Sequence, residues 1–287
     1  MKHPLVLAPT TLADVPPLEY VEAGIAAGYD AIGLRLVRSP AMPYHPVLGD
    51  APLIRALKAR LAEARLPVLD IFSCYLQPST RIEVFAPALE LGAELGGRYV
   101  LVMGDDPDAD RLRDNFVGFC ALAGRFGLSA AIEFAPTRPL ATLAQSVALI
   151  EQTGVPNAVL CLDPLNLLRG GGDAAALRTV DPRLLPYAQI TDGVFDPGEP
   201  DPARLGQLGP AERRMLGDGV VPLGAILDAL APGLPLSVEL PAPPGVTMPA
   251  RDWAQHALAA TRRYLGTLGR EGSAGGRPAV HGEIPII

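Results

Sequence analysis

Cysteine is scarce and scattered in this chain. The three residues, Cys74, Cys120 and Cys161, are odd in number and far apart. That excludes a disulfide framework and leaves no cysteine-based zinc site. Basic clusters are missing as well. Lys and Arg number 24 against 31 Asp and Glu, for a net charge of −7, and they nowhere gather into a footprint for nucleic acid. No apolar run approaches the ~18 residues of a membrane span. The opening MKHPLVLAPTTLADV has too short an apolar core and too early a proline for a signal peptide. A cytoplasmic protein with a small-molecule ligand, and with neither nucleic acid nor membrane as partner, is the expectation. Phosphate-cradling loops are absent too, since neither GxGxxG nor GxxxxGK[ST] occurs.

What is present describes a globular chain. Of 287 residues, 49% are hydrophobic and 19% charged, enough for a sizeable core without a staple. Proline (31) and glycine (30) are plentiful, and they sit at element ends instead of forming one low-complexity tract. Short β-rich runs alternate with amphipathic stretches. Strands are expected at 4–9, 28–37, 67–73, 98–104, 128–136, 157–164, 186–193 and 234–243. Helices are expected near 15–27, 50–65, 81–95, 109–126, 140–153, 173–180, 222–231 and 248–266. Strands that recur with helical crossovers pair in parallel. Eight such units close into a (β/α)8 TIM barrel, here a single domain over 1–267. An open doubly wound sheet would want the phosphate loop that is lacking. The stretch 268–287 is Gly-rich and reads as a flexible or surface-draped tail.

One feature of the strands calls for a function. In LCLDPLNLLRGGGD (160–173) a buried run stops abruptly at Asp163. Its neighbours behave alike: AAIEFAP stops at Glu133, YAQITDG carries Gln189 and then Asp192, and LSVELPAP stops at Glu239. In a barrel of this kind the site lies at the C-terminal ends of the strands. Adjacent strands lie ~4.8 Å apart, so these side chains can converge. Three carboxylates in one low-dielectric mouth repel each other, and a divalent cation relieves them. Oxygen-only ligands suit Mn2+ or Mg2+ better than zinc. The competing reading is that an acid at a strand end caps the next helix or sits in a surface turn. It applies best to Asp163, and Asp192 reads as a cap or supporting residue.

The ordered set AIEFAP, LCLDPLNLLRGGG, YAQITDG, ERRMLGDGVVPL and LSVELPAP resembles the xylose-isomerase-like TIM barrels, the sugar phosphate isomerase/epimerase superfamily, over about 4–266. The resemblance implies Glu133, Asp163, Gln189 and Glu239 as metal ligands. The third ligand is His in many members and Gln in some, including certain 3-dehydroshikimate dehydratases. Two departures stand out. The family's Asp-x-x-His has Asn166 in place of His, and Asn does not titrate near neutrality. Its Arg-x-x-Pro-Gly-x-Gly loop reads RRMLGDG, which keeps Arg213 and Gly217 but puts Leu216 at the proline.

The chemistry implied is loss of a proton beside a carbonyl, through an enediolate, with Glu133 and Glu239 as base and acid. Return of the proton gives an isomerase or an epimerase, and loss of a β-hydroxyl gives a dehydratase. A barrel that has lost its titratable His and binds without turnover is a third reading. Arg213, Asn166, Arg169 and Arg35 are the candidates for substrate contact, arginine offering a rigid fork for carboxylate or phosphate. His45 reads as a surface residue, and Tyr187 and Phe72 as core. Such barrels often pair as homodimers. Related nucleases use a zinc cluster with several His and a basic face, and this chain has neither.

Overall fold

The computed structural model describes residues 3–39, 42–194 and 212–271. Eight parallel strands close on themselves: β1 (Leu5–Leu7), β2 (Ala31–Arg35), β3 (Val68–Leu76), β4 (Tyr99–Gly104), β5 (Ser129–Glu133), β6 (Ala158–Leu162), β7 (Tyr187–Ile190) and, as eighth barrel strand, β10 (Leu236–Val238). β1 pairs with both β2 and β10, which completes the circle. This is the (β/α)8 barrel the alternating pattern implies. Two further short strands, β8 (Asp192–Gly193) and β9 (Arg213–Arg214), form an antiparallel ribbon above it.

Helices return the chain between strands. They are α1 (Pro17–Ala27), α2 (Ala51–Ala64), α3 (Ala86–Glu94), α4 (Ala109–Arg125), α5 (Leu143–Thr153), α6 (Pro164–Arg169), α7 (Ala174–Leu177), α8 (Leu223–Leu227) and α9 (Ala250–Glu271). Their starts are written locally. Asp108 caps α4 by accepting from the Arg111 amide at 3.0 Å, and Thr142 and Gln145 form a reciprocal capping box on α5. Among the described residues, no helix is long and apolar enough to cross a membrane.

Strand alternation sorts the core into two layers. Leu7, Ile32, Ile71, Leu160 and Val238 face the helices, and Val6, Leu69, Leu101, Ala131, Cys161 and Tyr187 fill the barrel. All three cysteines are buried and unbridged.

Several boundaries differ from the pattern-based reading. β1 is three residues long, because the prolines at 4 and 9 cannot donate to the ladder. The strand expected at 67–73 runs on to Leu76. Helix α6 starts at once after Asp163, with Pro164 in its first turn, where a loop was expected. The last helix extends to Glu271, into the stretch read as a tail, and 272–287 lie outside the described residues, as do 195–211 of the long loop after strand seven.

Close packing of α3 on β3 depends on Gly92. A Cβ there would collide with the Ile71 side chain. Gly92→Ala is expected to cost about 1–3 kcal/mol, read as a lower urea midpoint at unchanged slope.

Candidate active site

The alternation that builds the barrel interior also delivers the site. On β5, Ala131 points inward, and so does Glu133 two residues on. The same parity carries Cys161 to Asp163, Tyr187 to Gln189, and Ser237 to Glu239. All four predicted ligands are buried, at 6% (Glu133), 0% (Asp163), 2% (Gln189) and 4% (Glu239) exposure. Glu133 and Glu239 line a cavity of about 340 Å3 at the mouth, with Asn166, Arg169 and Arg213.

Asp163 answers both readings of a strand-end acid. Its Oδ1 accepts from the Leu165 and Asn166 amides at 2.7 and 3.2 Å, capping α6. Its Oδ2 accepts from Arg213 Nη2 at 2.7 Å. The same Nη2 lies 3.3 Å from Glu239 Oε2, close enough to attract but not aligned for a hydrogen bond. Arg213 therefore bridges two of the three carboxylates. The third, Glu133, accepts from Asn166 Nδ2 at 3.0 Å and weakly from Gln189 Nε2 at 3.5 Å. Asn166 thus orients Glu133 by hydrogen bonding alone.

The electrostatics follow from this crowding. Burial, then the charges of Asp163 and Glu239, push Glu133 well above the usual carboxyl range, against Arg213 and Asn166. Glu239 is raised by burial as well, opposed first by Arg213. Burial disfavours the charge on Arg213, but Asp163, Glu239 and Glu133 outweigh it and hold the guanidinium firmly protonated.

Arg213 reaches the mouth on the ribbon. Gly193 pairs with Arg213, and Asp192 with Arg214. Asp192 then clamps the returning chain. Its Oδ2 accepts from the Gly217 and Gly219 amides at 3.0 and 3.1 Å, and its Oδ1 from Val221 at 3.1 Å. Asp192 is the supporting residue the sequence suggested.

The other predicted contacts divide. Arg169 lines the cavity, pairs with Glu212 at 3.1 Å, and keeps a buried Nε without a hydrogen-bond partner. Arg35 does not reach it. Its Nη1 donates to the Ala13 and Pro43 carbonyls at 3.0 and 2.8 Å, tying two loops together beside a separate cavity of about 30 Å3. His45 pairs at the surface with Asp14 at 3.2 Å. Tyr187 is core, whereas Phe72 lines the mouth.

Three residues escaped the sequence reading. Arg138, five residues past Glu133, lines the cavity, pairs with Asp105 at 2.9 Å, and stacks 5.2 Å from the Tyr75 ring. Met103, one residue before the end of strand four, lies on inward parity, where an apolar thioether gives no polar signal in the sequence. Asp70 is an acid in mid-strand, 1% exposed, and it fits because Gly33 opposite has no side chain.

Among the described residues, no three His, Cys, Asp or Glu side chains are gathered closely enough to hold a metal ion by themselves. Where an ion was expected between Asp163 and Glu239, the structure has the Arg213 guanidinium.

A model of the xylose isomerase-like TIM barrels matches residues 21–264. The chain belongs to this family. No curated protein sequence matches it. Among solved structures it resembles the IolI protein with a bound zinc atom, at 20% identity and TM-score 0.74, covering 92% of this chain and 98% of that one. It also resembles L-ribulose 3-epimerase, at 20% identity and TM-score 0.69, covering 96% and 100%. A third is the probable 3-DHS dehydratase AsbF from Bacillus anthracis, at 13% identity and TM-score 0.66, covering 91% and 99%. At these identities the likeness is one of fold, and this member's site must be argued from its own residues.

Two expectations follow. Removing Arg213 leaves buried carboxylates unpaired, so Arg213→Met is expected to lose about 3–5 kcal/mol. The loss should be larger at pH 8 than at pH 5, because protonation relieves the repulsion. Asp70 is pushed up to about 7 by burial, against the Tyr187 hydroxyl and with help from Glu239. Its unfolded value is about 3.9, so the folded state holds the proton more tightly. The stability this contributes is full below about pH 4 and is lost as pH climbs through 7. Denaturant midpoints should therefore fall from pH 5 to pH 8, and fall less in Asp70→Asn.

Proposed function

We propose that this protein is a divalent-metal-dependent enzyme that moves a proton next to the carbonyl of a hydroxy-ketone, as a sugar or sugar-phosphate isomerase or epimerase. The observation that carries this reading is the set of four oxygen-bearing side chains on four consecutive barrel strands, all on inward parity at one mouth. Glu133, Asp163, Gln189 and Glu239 would hold the ion, which requires the Arg213 guanidinium to leave its place between Asp163 and Glu239. Two features fit them for it. Gln189 Oε1 and Glu239 Oε2 are buried without a hydrogen-bond partner, and an all-oxygen set favours Mn2+ or Mg2+ over softer metals. A cation bound there supplies polarisation of the substrate carbonyl.

The chain's own residues do the rest. Glu133 takes the proton from the carbon beside the carbonyl. Asn166 holds the Glu133 carboxylate in place through its 3.0 Å hydrogen bond. Glu239 supplies the returning proton. Arg213, with its Nη1 buried and unpartnered, steadies a substrate oxygen.

A second reading uses the same residues to expel a β-hydroxyl as water from a cyclic keto acid. The unpartnered Arg169 Nε favours it, since that atom suits a carboxylate.

Purified protein should bind Mn2+ or Mg2+ saturably, with a rise in melting temperature that Glu239→Gln abolishes. Glu133→Gln should fold but turn over its substrate at least about 100-fold more slowly. Absence of bound metal and of any thermal shift would sink this reading.

A further inference from the structure

The mouth of the barrel is not uniform around its rim. On one side, β5, β6, β7 and β10 present Glu133, Asp163, Gln189 and Glu239. On the other, β3 and β4 present mostly apolar side chains and no carboxylate at the cavity, with Ser73 as the one small hydroxyl. Met103 stands in register with Glu133 on the neighbouring strand, and Tyr75 in register with Met103. Just below lie Phe72 and Leu101, 6% and 1% exposed, and Met42 closes the same side. A ligand that touches Glu133 and extends toward β3 and β4 lays that part of its surface chiefly on thioethers, a phenyl ring, a leucine and Tyr75.

That wall suits few carbohydrates. An open-chain ketose carries a hydroxyl on nearly every carbon. Against this wall those hydroxyls would lose water and meet mainly sulfur, a weak acceptor, and carbon, with the Ser73 and Tyr75 hydroxyls too few to satisfy a polyol. Hydrophobic pockets disfavour an added hydroxyl by up to about 100-fold. A flat apolar ring gains instead, by burying its face. The cationic side completes the picture. Arg169 Nε and Arg213 Nη1 are buried and unpartnered, and both residues line the cavity. Arg138 stands at the rim over Tyr75. Arg169 and Arg138 are forks for a carboxylate carried on the ring.

The geometry points to a substrate with an oxygen-rich head, a flat apolar body and a carboxylate, in place of an open-chain polyol. This rests on the proposed proton-transfer reading for the position of the head, and adds the chemistry of the body. The cavity, about 340 Å3, has room for a single-ring acid of this kind.

The test is calorimetric titration of the full-length protein, with and without Mn2+, using para-(hydroxyacetyl)benzoate and D-fructose as matched probes. The aromatic acid is expected to bind at least about tenfold more tightly. Met103→Gln, which conserves volume, and Phe72→Asn should each shrink that ratio by about threefold or more. Arg169→Met should weaken the acid while leaving uncharged hydroxyacetophenone unchanged. Equal or tighter binding of fructose overturns the proposal, as does a ratio unmoved by both wall substitutions. An aromatic preference that is the same without Mn2+ sustains the wall and overturns the metal reading. Binding of neither probe under either condition overturns both.

Discussion

Three carboxylates are buried side by side at one barrel mouth, and the rest of the site is organised around that constraint. Charges so confined need partners. Arg213 meets two of them, and the amides of Asn166 and Gln189 attend the third. The arginine is itself 14% exposed, so it too must be held in place. The β8–β9 ribbon brings it across the barrel end, and the Asp192 carboxylate pins the chain behind it through backbone amides. Much of the architecture after strand seven therefore serves one guanidinium, which answers the charge that a bound cation would otherwise answer.

The barrel makes such a mouth from the same rule that makes its core. Inward positions alternate with outward ones along every strand, so the last inward residue of each strand necessarily faces the opening. Which half of the rim becomes polar is then a matter of side-chain choice alone. The floor is closed by Tyr187 and by Asp70, which occupies the space left by Gly33. The cavity at the mouth therefore has carboxylates along one side and mostly apolar side chains along the other.

The fold was legible because its signals are local and repeated. Eight apolar runs with amphipathic stretches between them leave little besides a closed parallel barrel. The meeting of Glu133, Asp163, Gln189 and Glu239 at one mouth was legible because a polar side chain ending a buried run is conspicuous. Arg35 reads as a site residue because a guanidinium on a barrel strand suits an anionic group, but nothing in the sequence shows that the Ala13 and Pro43 carbonyls take its donors. The position of Arg213 between Asp163 and Glu239 was hidden for a similar reason, since ion pairs across 50 residues of sequence have no local signature. Helix α6 was missed although Asp163-Pro164 is a good start signal. The aspartate had been assigned to the site, and the two assignments were treated as exclusive.

They are not exclusive, and this shapes how the protein can change. Asp163 caps α6 with one oxygen and bears the site's charge with the other, and α6 carries both Asn166 and Arg169. Folding alone would accept Ser, Thr or Asn at the cap. Charge alone would accept Glu. Only aspartate is short enough to cap and ionised enough to pair. Any substitution at Asp163 thus disturbs the start of α6 and the charge balance of the site together.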